Sequence, residues 1–297
     1  NMFLSLLPTS ILAFSYLFWF HAEIPEAFGL NNLFAVSLLY LSYLFLTDKS
    51  SKYLYLLAFI CGVSLTHHQT ILFLFPGIGL MLLKHFKFIF LHPKRLLTSL
   101  LAFFAGFFPY LYVPIAAHQN PVISWDSATN LTNFIHLVLR KDYGFAPSVV
   151  NEVPIAVKLI HVKSFLSSIL TNFSSQIIIL MVFSAGVLLK RTMWFFFGLT
   201  LCFILTGPFF MYYAAGLTGI PVGMGIIERF YVLPSVILMF YVPFGLTSLH
   251  SFLQKRFSRP AYGYALLAYF LIIPILLLIY NFPKTDLSRT KIGNTLA

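Results

Sequence analysis

Long apolar runs separated by short polar loops constrain this chain more than any other feature of its sequence. The hydrocarbon core of a bilayer is crossed by a helix of about 20 apolar residues. Because no water reaches the backbone there, each run must hydrogen-bond its own peptide groups, which favours helices. Only 9% of the residues are charged, whereas soluble domains carry about 25%. The sequence therefore predicts an all-α, polytopic membrane helical bundle in a multi-pass membrane protein.

About nine transmembrane segments are predicted, and several are shorter than about 20 residues, so tilted or broken helices are expected. Pro76 and Pro109 are predicted kinks, and Ala102 with Gly106 forms a small-xxx-small pair that permits close helix contact. The predicted segments are Phe3–Phe20, Leu33–Leu46, Tyr53–Thr66, Thr70–Leu83, Leu96–Ala116, Ser164–Leu189, Thr192–Tyr213, Phe230–Leu249 and Ala261–Tyr280.

The interval from Ala117 to Lys163 is the one long stretch without a membrane-length apolar run. Its apolar side chains fall at i, i+3, i+4 and i+7, which is one face of a helix. We therefore predict an amphipathic helix lying along the outer membrane surface. It is interpreted either as a connector resting on lipid or as the lid and wall of an active site. The four apolar positions are Leu131, Phe134, Ile135 and Val138.

Residues around this predicted helix define its expected limits. Asp126 or Ser127 is suited to cap its start, and Gly144 to end it in a left-handed turn. Trp125 and Tyr143 are expected at the depth of the lipid headgroups, where aromatic side chains with a polar group are favoured.

Lysine and arginine concentrate in alternate loops, which orients a membrane protein with those loops in the cytoplasm. The net charge of +11 is therefore explained by the orientation of the loops in the membrane, and no nucleic-acid partner is expected. The chemistry is expected at the outer face, towards the periplasm or a lumen, because seven of the eight carboxylates fall there. The cytoplasmic set is Lys49, Lys52, Lys84, Lys87, Lys94, Arg95, Lys190, Arg191, Lys255, Arg256 and Arg259. The outer carboxylates are Glu23, Glu26, Asp126, Asp142, Glu152, Glu228 and Asp286.

Two outward elements carry polar residues next to apolar segments. Glu26 precedes Asn32 at the start of a segment, and a carboxylate at a membrane boundary is costly unless it is paired or wet. It is therefore either a solvated loop acid or part of a pocket. His67, His68 and Gln69 form a turn that is either structural or hydrogen-bonds an anionic or hydroxylated ligand. No metal site is predicted, because adjacent histidines on a helix point about 100° apart.

Arg229 follows Glu228 at the outer start of an apolar segment. One interpretation is a local ion pair between the two, which is weak if exposed. The other is recognition of a phosphate by the planar guanidinium, helped by a helix N-terminus. Under the second interpretation, the phosphate of a lipid head lies among Arg229, Arg140, Lys141 and His68.

Several short motifs lie in order between about Ser15 and Leu246, and none is specific alone. They are Glu26 with Asn31-Asn32, Gly62–Thr70, Pro109–Ile115, Trp125-Asp126, Arg140–Gly144 and Gly225–Phe230. Together they resemble the transmembrane protein 260 family, polytopic glycosyltransferases of the GT-C type that include a protein O-mannosyltransferase. The sequence departs from the family pattern at His67, Gln69 and Phe145-Ala146.

The resemblance implies a GT-C fold and an inverting transfer of a sugar, with mannose the expected one, from a polyprenyl-phosphate donor to a protein hydroxyl. The donor phosphate would be bound by Arg229, Arg140, Lys141 and His68. The expected partners are the lipid bilayer, the polyprenyl-phosphate lipid and a protein acceptor. No tightly bound cofactor is expected, and the need for a divalent metal stays open. The implied pocket residues are Glu26, Asn32, His67, Gln69, Trp125, Asp126, Tyr143 and Glu228.

Members of this class carry an acidic catalytic residue in the first outer loop, and the chain shows no counterpart of that segment. The base is therefore expected upstream of residue 1, with Glu26 and Asp126 as fallback candidates, and the 297-residue chain alone is expected to be inactive. Residues 1–283 are expected to form the N-terminally truncated transferase core, with the outer loop 117–163. Residues 284–297 would begin an outer soluble domain or linker.

A bacterial inner membrane is expected rather than the membrane of the endoplasmic reticulum. Two rival classes remain open. A transporter or lipid flippase predicts charges near the bilayer midplane and an inverted repeat, and the sequence shows ionisable residues at segment ends instead. A non-catalytic membrane scaffold is the other.

Overall fold

The computed structural model describes residues 2–24, 26–124, 126–139, 141, 153–214, 226–257 and 260–286. Every regular element in these ranges is helical, which confirms the predicted all-α bundle. The helices up to residue 138 are α1 (Met2–Phe14), α2 (Tyr16–Ala22), α3 (Phe28–Asp48), α4 (Ser51–Leu65), α5 (Phe75–Leu83), α6 (Phe86–Phe90), α7 (Pro93–Phe107), α8 (Tyr112–Ala117) and α9 (Leu131–Val138). The later helices are α10 (Ile155–Asn172), α11 (Ser175–Arg191), α12 (Met193–Ile204), α13 (Phe210–Ala214), α14 (Val232–Met239), α15 (Val242–Phe257) and α16 (Pro260–Thr285).

Several helices run on through short segments of 3₁₀ or π geometry, so the membrane spans are longer than single α-helices. Five helices in the described ranges are long and apolar enough to cross a bilayer, or six if one bent pair counts as a span. The chain is therefore a multi-pass membrane protein. Pro76 lies in the first turn of α5, directly after the 3₁₀ segment Gln69–Leu74, and Pro109 lies in the 3₁₀ segment Phe108–Leu111 that passes into α8. The five spans are Phe28–Asp48, Pro93–Ala117, Met193–Ala214, Ile226–Arg256 and Ala268–Thr285.

The predicted segment Ser164–Leu189 is two helices rather than one. Phe173 and Ser174 take extended backbone angles, which ends α10 and starts α11 in a new direction. The two helices differ in direction by 105°. Helix α10 also begins at Ile155, inside the interval that was predicted to be a loop. It therefore lies at a steep angle to α11.

The predicted segment Phe3–Phe20 is likewise broken, at Ser15 between α1 and α2. Two asparagines from distant helices satisfy the backbone groups that the break exposes. Asn281 of α16 donates from Nδ2 to the Phe14 carbonyl at 2.8 Å, and the Leu17 N–H donates to Asn172 Oδ1 at 3.2 Å. Since unpaired peptide groups are costly in a membrane, these two bonds fix α2 against α10 and α16.

Helices α4 and α7 touch backbone to backbone through Gly62 and Gly106. A Cβ atom at Gly62 would overlap the Phe103 carbonyl oxygen, and one at Gly106 would overlap the Phe59 carbonyl oxygen. The predicted close helix contact at Gly106 is thus present, and it is made with Gly62 of α4. Small residues that let membrane helices approach are a common packing device.

The amphipathic helix is present as α9, shorter than predicted. Its cap is Asn130, whose Oδ1 accepts from the Asn133 N–H at 2.8 Å. The prediction of Asp126 or Ser127 as cap was wrong, because both take positive φ angles, 56° and 42°, in a turn before the helix. Helix α9 ends at Val138, and the predicted end at Gly144 lies outside the described residues.

Candidate functional site

Arg229 is the best-anchored cation at the polar end of the bundle. It opens the 3₁₀ turn Arg229–Tyr231, and its Nε donates to the Ile226 carbonyl at 3.0 Å. Its Nη1 donates to Glu26 Oε1 at 2.8 Å, and the guanidinium carbon lies 5.7 Å from the Phe28 ring centroid and 5.8 Å from that of Phe230. These contacts fix the plane of the guanidinium.

The ion pair of Arg229 corrects the sequence interpretation. Arg229 pairs with Glu26, which is 203 positions away, and not with its neighbour Glu228. The side chains of Arg229 and Glu26 are 32% and 29% exposed, so the pair contributes at most about 1 kcal/mol to stability. It gives Glu26 the partner that a carboxylate at a membrane boundary requires. Glu228 lines a separate cleft.

His68 lies beside the same aromatic pair. Its ring centroid is 5.4 Å from that of Phe28 and 6.4 Å from that of Phe230. His68 Nδ1 lies 2.7 Å from the Thr70 hydroxyl and caps the 3₁₀ turn that begins at Gln69. Arg229 and His68, predicted together, therefore both lie next to the Phe28 and Phe230 rings, which form an aromatic wall. Nothing in the sequence marked Phe28 and Phe230 as that wall.

The other two residues of the histidine turn have structural contacts. His67 Nε2 lies 2.7 Å from the Ala27 carbonyl oxygen, and Gln69 Nε2 donates to the Val138 carbonyl. His67 thus holds the turn against the start of α3, and Gln69 holds it against the end of α9. The bonds join three of the predicted outward elements into one surface.

Asn31 and Asn32 are buried at the start of α3, and the Oδ1 atom of each has no hydrogen-bond partner within the described chain. Asn31 Nδ2 donates to the Thr70 hydroxyl at 3.4 Å. Beside Asn31 is a void of about 10 Å³, room for about one water molecule, and Asn32 does not line it. The sequence predicted Asn32 for the pocket but missed Asn31 and Thr70. Phe28, Asn31, Thr70, Phe73, Thr206, Phe210, Phe230 and Leu233 line this void.

His21 is a polar residue of this end that the predicted pocket omitted. Its Nδ1 is buried and unpartnered within the described chain. Burial lowers the pKa of His21, the Glu26 carboxylate opposes that shift, and the Arg229 charge adds to it. His21 is therefore neutral at pH 7, so the positive charge here comes from Arg229.

The remaining predicted residues are only partly placed. Asp126 lies in the turn before α9, and Lys141 Nζ lies 3.1 Å from His136 Nε2. No contact joins Lys141 to Arg229 in the described part of the chain. Trp125, Arg140 and Tyr143 lie outside the described residues.

A metal centre is not assembled from the described side chains: no group of three histidine, cysteine or acidic residues among them is arranged to hold an ion. The cluster instead offers one fixed guanidinium, a histidine and buried amides next to aromatic rings. Guanidinium and amide donors of this kind suit an anion or a hydroxylated ligand.

The fold and the site together define a multi-pass membrane protein whose polar residues gather at one end of a helical bundle. Sequence comparison resolves that class further. Residues 1–89 match the family described as Protein O-mannosyl-transferase TMEM260 N-terminal domain. The chain thus resembles the TMEM260 proteins, as the motifs predicted.

Two relatives share the resemblance over most of the chain. Protein O-mannosyl-transferase TMEM260 of Mus musculus is 30% identical over 261 residues, which is 83% of this chain and 36% of the mouse protein. Protein O-mannosyl-transferase tmem260 of Dictyostelium discoideum is 24% identical over 279 residues, 86% of this chain and 34% of that protein. The chain thus spans about a third of the length of these relatives. No solved structure gives a significant match.

Proposed function

We propose that the chain is the membrane core of a GT-C-type glycosyltransferase. It transfers mannose from a polyprenyl-phosphate donor to a protein hydroxyl, at the periplasmic or lumenal face of the membrane. The observation that carries the proposal is the Arg229–Glu26 pair, whose arginine shares the Phe28 and Phe230 rings with His68, in a chain that resembles two proteins named protein O-mannosyl-transferase.

The leaving group of such a reaction is a lipid phosphate, which gains negative charge as its bond to the sugar breaks. A fixed cation placed at that phosphate lowers the barrier, because its position needs no reorganisation. Arg229 has five N–H donors. The contacts with Ile226 and Glu26 occupy Nε and Nη1. Within the described part of the chain the Nη2 donors have no partner, so they are available to a phosphate oxygen. Glu26 acts as the positioning residue for this cation.

Glu26 and Asp126 were fallback candidates for the base. Glu26 is engaged by Arg229 at 2.8 Å, so its role in the proposal is to orient that cation. A base would act on the acceptor hydroxyl, removing its proton as the oxygen attacks the sugar carbon. In this proposal the acceptor is a serine or threonine hydroxyl of a protein.

The test is a transfer assay on the purified full-length protein in lipid nanodiscs. With a Ser/Thr-rich acceptor protein, radiolabelled mannose is expected to reach the acceptor from mannosyl-phosphoryl-polyprenol but not from a nucleotide-activated mannose. The protein-linked label should be released by β-elimination, which cleaves sugars from serine and threonine. Transfer from the nucleotide sugar alone, in membranes without lipid-linked mannose, would contradict the donor class.

A further inference from the structure

A second polar cleft, with a volume of about 740 Å³, lies on the other side of the turn that carries Arg229. Its walls are α2, α10 and α16, and Glu228 and Tyr231 close one end. Arg229 turns towards Glu26 and does not line it. The cleft is large enough for the polar head of a lipid, whereas the void beside Phe28 holds about one water molecule.

Part of the polar lining has a structural use. Asn172 and Asn281 bind the backbone at the break after α1. Ser168 and Thr171 bond within α10. These hydrogen bonds account for part of the polar lining, and other polar groups of the lining have no such structural role.

The Tyr231 hydroxyl is the clearest polar group of the lining without a structural role. Tyr231 is 2% exposed and lines the cleft, yet its hydroxyl has no hydrogen-bond partner within the described chain. The Ser164 side chain lies nearby on α10. A buried hydroxyl is destabilising when it has no hydrogen-bond partner. A ligand with oxygen atoms in the cleft would remove that cost.

Charge defines the ligand further. Lys163 of α10 and Lys284 of α16 line the cleft from two different helices, and Glu228 is the acidic residue of the lining. The Lys284 ammonium lies 3.4 Å from the centroid of the Tyr280 ring, which holds the charge near the rim. Two cations against one carboxylate favour an anion, and the carboxylate suits a hydroxyl group of the same ligand.

The flanks of the cleft are apolar and exposed. On α10, Leu159, Leu166 and Leu170 are 54%, 45% and 63% exposed, and they fall on one face of the helix. On α16, Leu276 and Ile279 are 58% and 65% exposed within a membrane span. A cleft between two lipid-facing surfaces is open to a molecule that enters sideways with its chains still in the bilayer.

We infer that this cleft binds the phosphate-bearing head of a membrane lipid, with the phosphate between Lys163 and Lys284 and lipid oxygens at Tyr231. The site is separate from Arg229, and binding does not require transfer. The phosphate belongs either to a polyprenyl phosphate or to a bulk phospholipid, and the experiment distinguishes these two sources.

Binding is measured by native mass spectrometry of the detergent-solubilised full-length protein, without acceptor. The probes are farnesyl phosphate, dioctanoyl phosphatidylglycerol, dioctanoylglycerol as a lipid without phosphate, and inorganic phosphate. A phosphate-bearing lipid is expected to bind, and dioctanoylglycerol and inorganic phosphate are not. Preference for farnesyl phosphate assigns the cleft to polyprenyl lipids, and equal binding of phosphatidylglycerol assigns it to bulk phospholipid.

Variants locate the site. These variants are made in the Arg229→Ala background, so that a phosphate bound at Arg229 does not contribute to the measurement. In that background, Lys163→Gln with Lys284→Gln is expected to weaken lipid binding at least tenfold, and Tyr231→Phe about fivefold, since that change keeps the ring and removes the hydroxyl. The matched control is Lys158→Gln on the same helix, whose ammonium lies over Tyr212 instead. It is expected to bind as the wild type does.

Wild-type affinity in the double lysine variant would overturn the inference, and so would inorganic phosphate binding as tightly as the lipids. Because no sugar is transferred in this measurement, its failure is separate from failure of the proposed function. A protein that binds lipid through Lys163 and Lys284 but transfers no mannose would refute the proposed function and leave the inference about the cleft intact.

Discussion

Replacing Arg229 with alanine is expected to lower turnover about a hundredfold while the protein stays folded. Loss of a charge-assisted contact to a developing anion costs about 3 kcal/mol in the transition state. The fold is expected to tolerate the change, because the ion pair with Glu26 is about one-third exposed and contributes at most about 1 kcal/mol.

Arg229→Lys separates charge from geometry. Lysine keeps the positive charge, but its single ammonium group cannot replace both Nε, which donates to the Ile226 carbonyl, and Nη1, which donates to Glu26. We expect turnover to fall by at least tenfold, with the larger part of the loss in kcat. The turnover of the Glu26→Gln variant should fall less, because the guanidinium remains and only its orientation is less tightly fixed.

The measurement is mannose transfer across a range of donor concentrations, together with the thermal midpoint of each variant. Arg95 is the matched control: it lies 3.7 Å from the Phe88 ring centroid and donates to the Phe88 carbonyl, far along the chain from Glu26. Arg95→Lys should transfer at the wild-type rate. A folded Arg229→Ala protein with wild-type kinetics would return Arg229 to a purely structural role.

Gly62→Val is expected to destabilise the bundle by about 1–3 kcal/mol or to prevent assembly, the usual range for overpacking. Any Cβ at this position overlaps the backbone of α7, which cannot move aside as a flexible side chain does. Gly106→Val meets α4 in the same way. Because the two glycines share one contact, the double variant should cost less than the sum of the single ones.

The thermal midpoint in detergent and the fraction of monodisperse protein measure this effect. Gly186→Val is the control, because nothing lies within 4 Å of a Cβ added there, and it should stay within about 0.5 kcal/mol of the wild type. Equal stability of the Gly62 and Gly186 variants would mean that α4 and α7 are not in backbone contact.

The sequence predicted the all-α helical bundle, because long apolar runs have few alternatives in a membrane. It predicted about nine spans, whereas five or six in the described ranges are long and apolar enough to cross a bilayer. It missed the breaks: Ser15 lies inside a continuous apolar stretch, and the polar residues on both sides of Phe173 were included in one long predicted segment. The first break is stabilised by Asn172 and Asn281, from far along the chain. No local pattern identifies such partners.

The candidate site was predicted in parts. Arg229, His68 and Glu26 were singled out because polar groups at membrane boundaries need a reason, and the structure brings them around Phe28. One of the two interpretations of Arg229, an ion pair with its neighbour Glu228, is not what the structure shows, because Arg229 pairs with Glu26, 203 positions away. The cap of α9 failed on backbone geometry: Asp126 is a good capping residue type but has positive φ.

The central claim of a lipid-linked donor at the polar end of the bundle requires that end to face away from the cytoplasm. Single cysteines at Ser50, in a basic loop, and at Ser167, exposed in the α10–α16 cleft, test it directly once Cys61 and Cys202 are replaced by alanine. An impermeant maleimide applied to intact cells is expected to label Ser167→Cys and to reach Ser50→Cys only after permeabilisation. If it labels Ser50→Cys in intact cells and spares Ser167→Cys, the orientation and the proposed donor chemistry at that face are both contradicted.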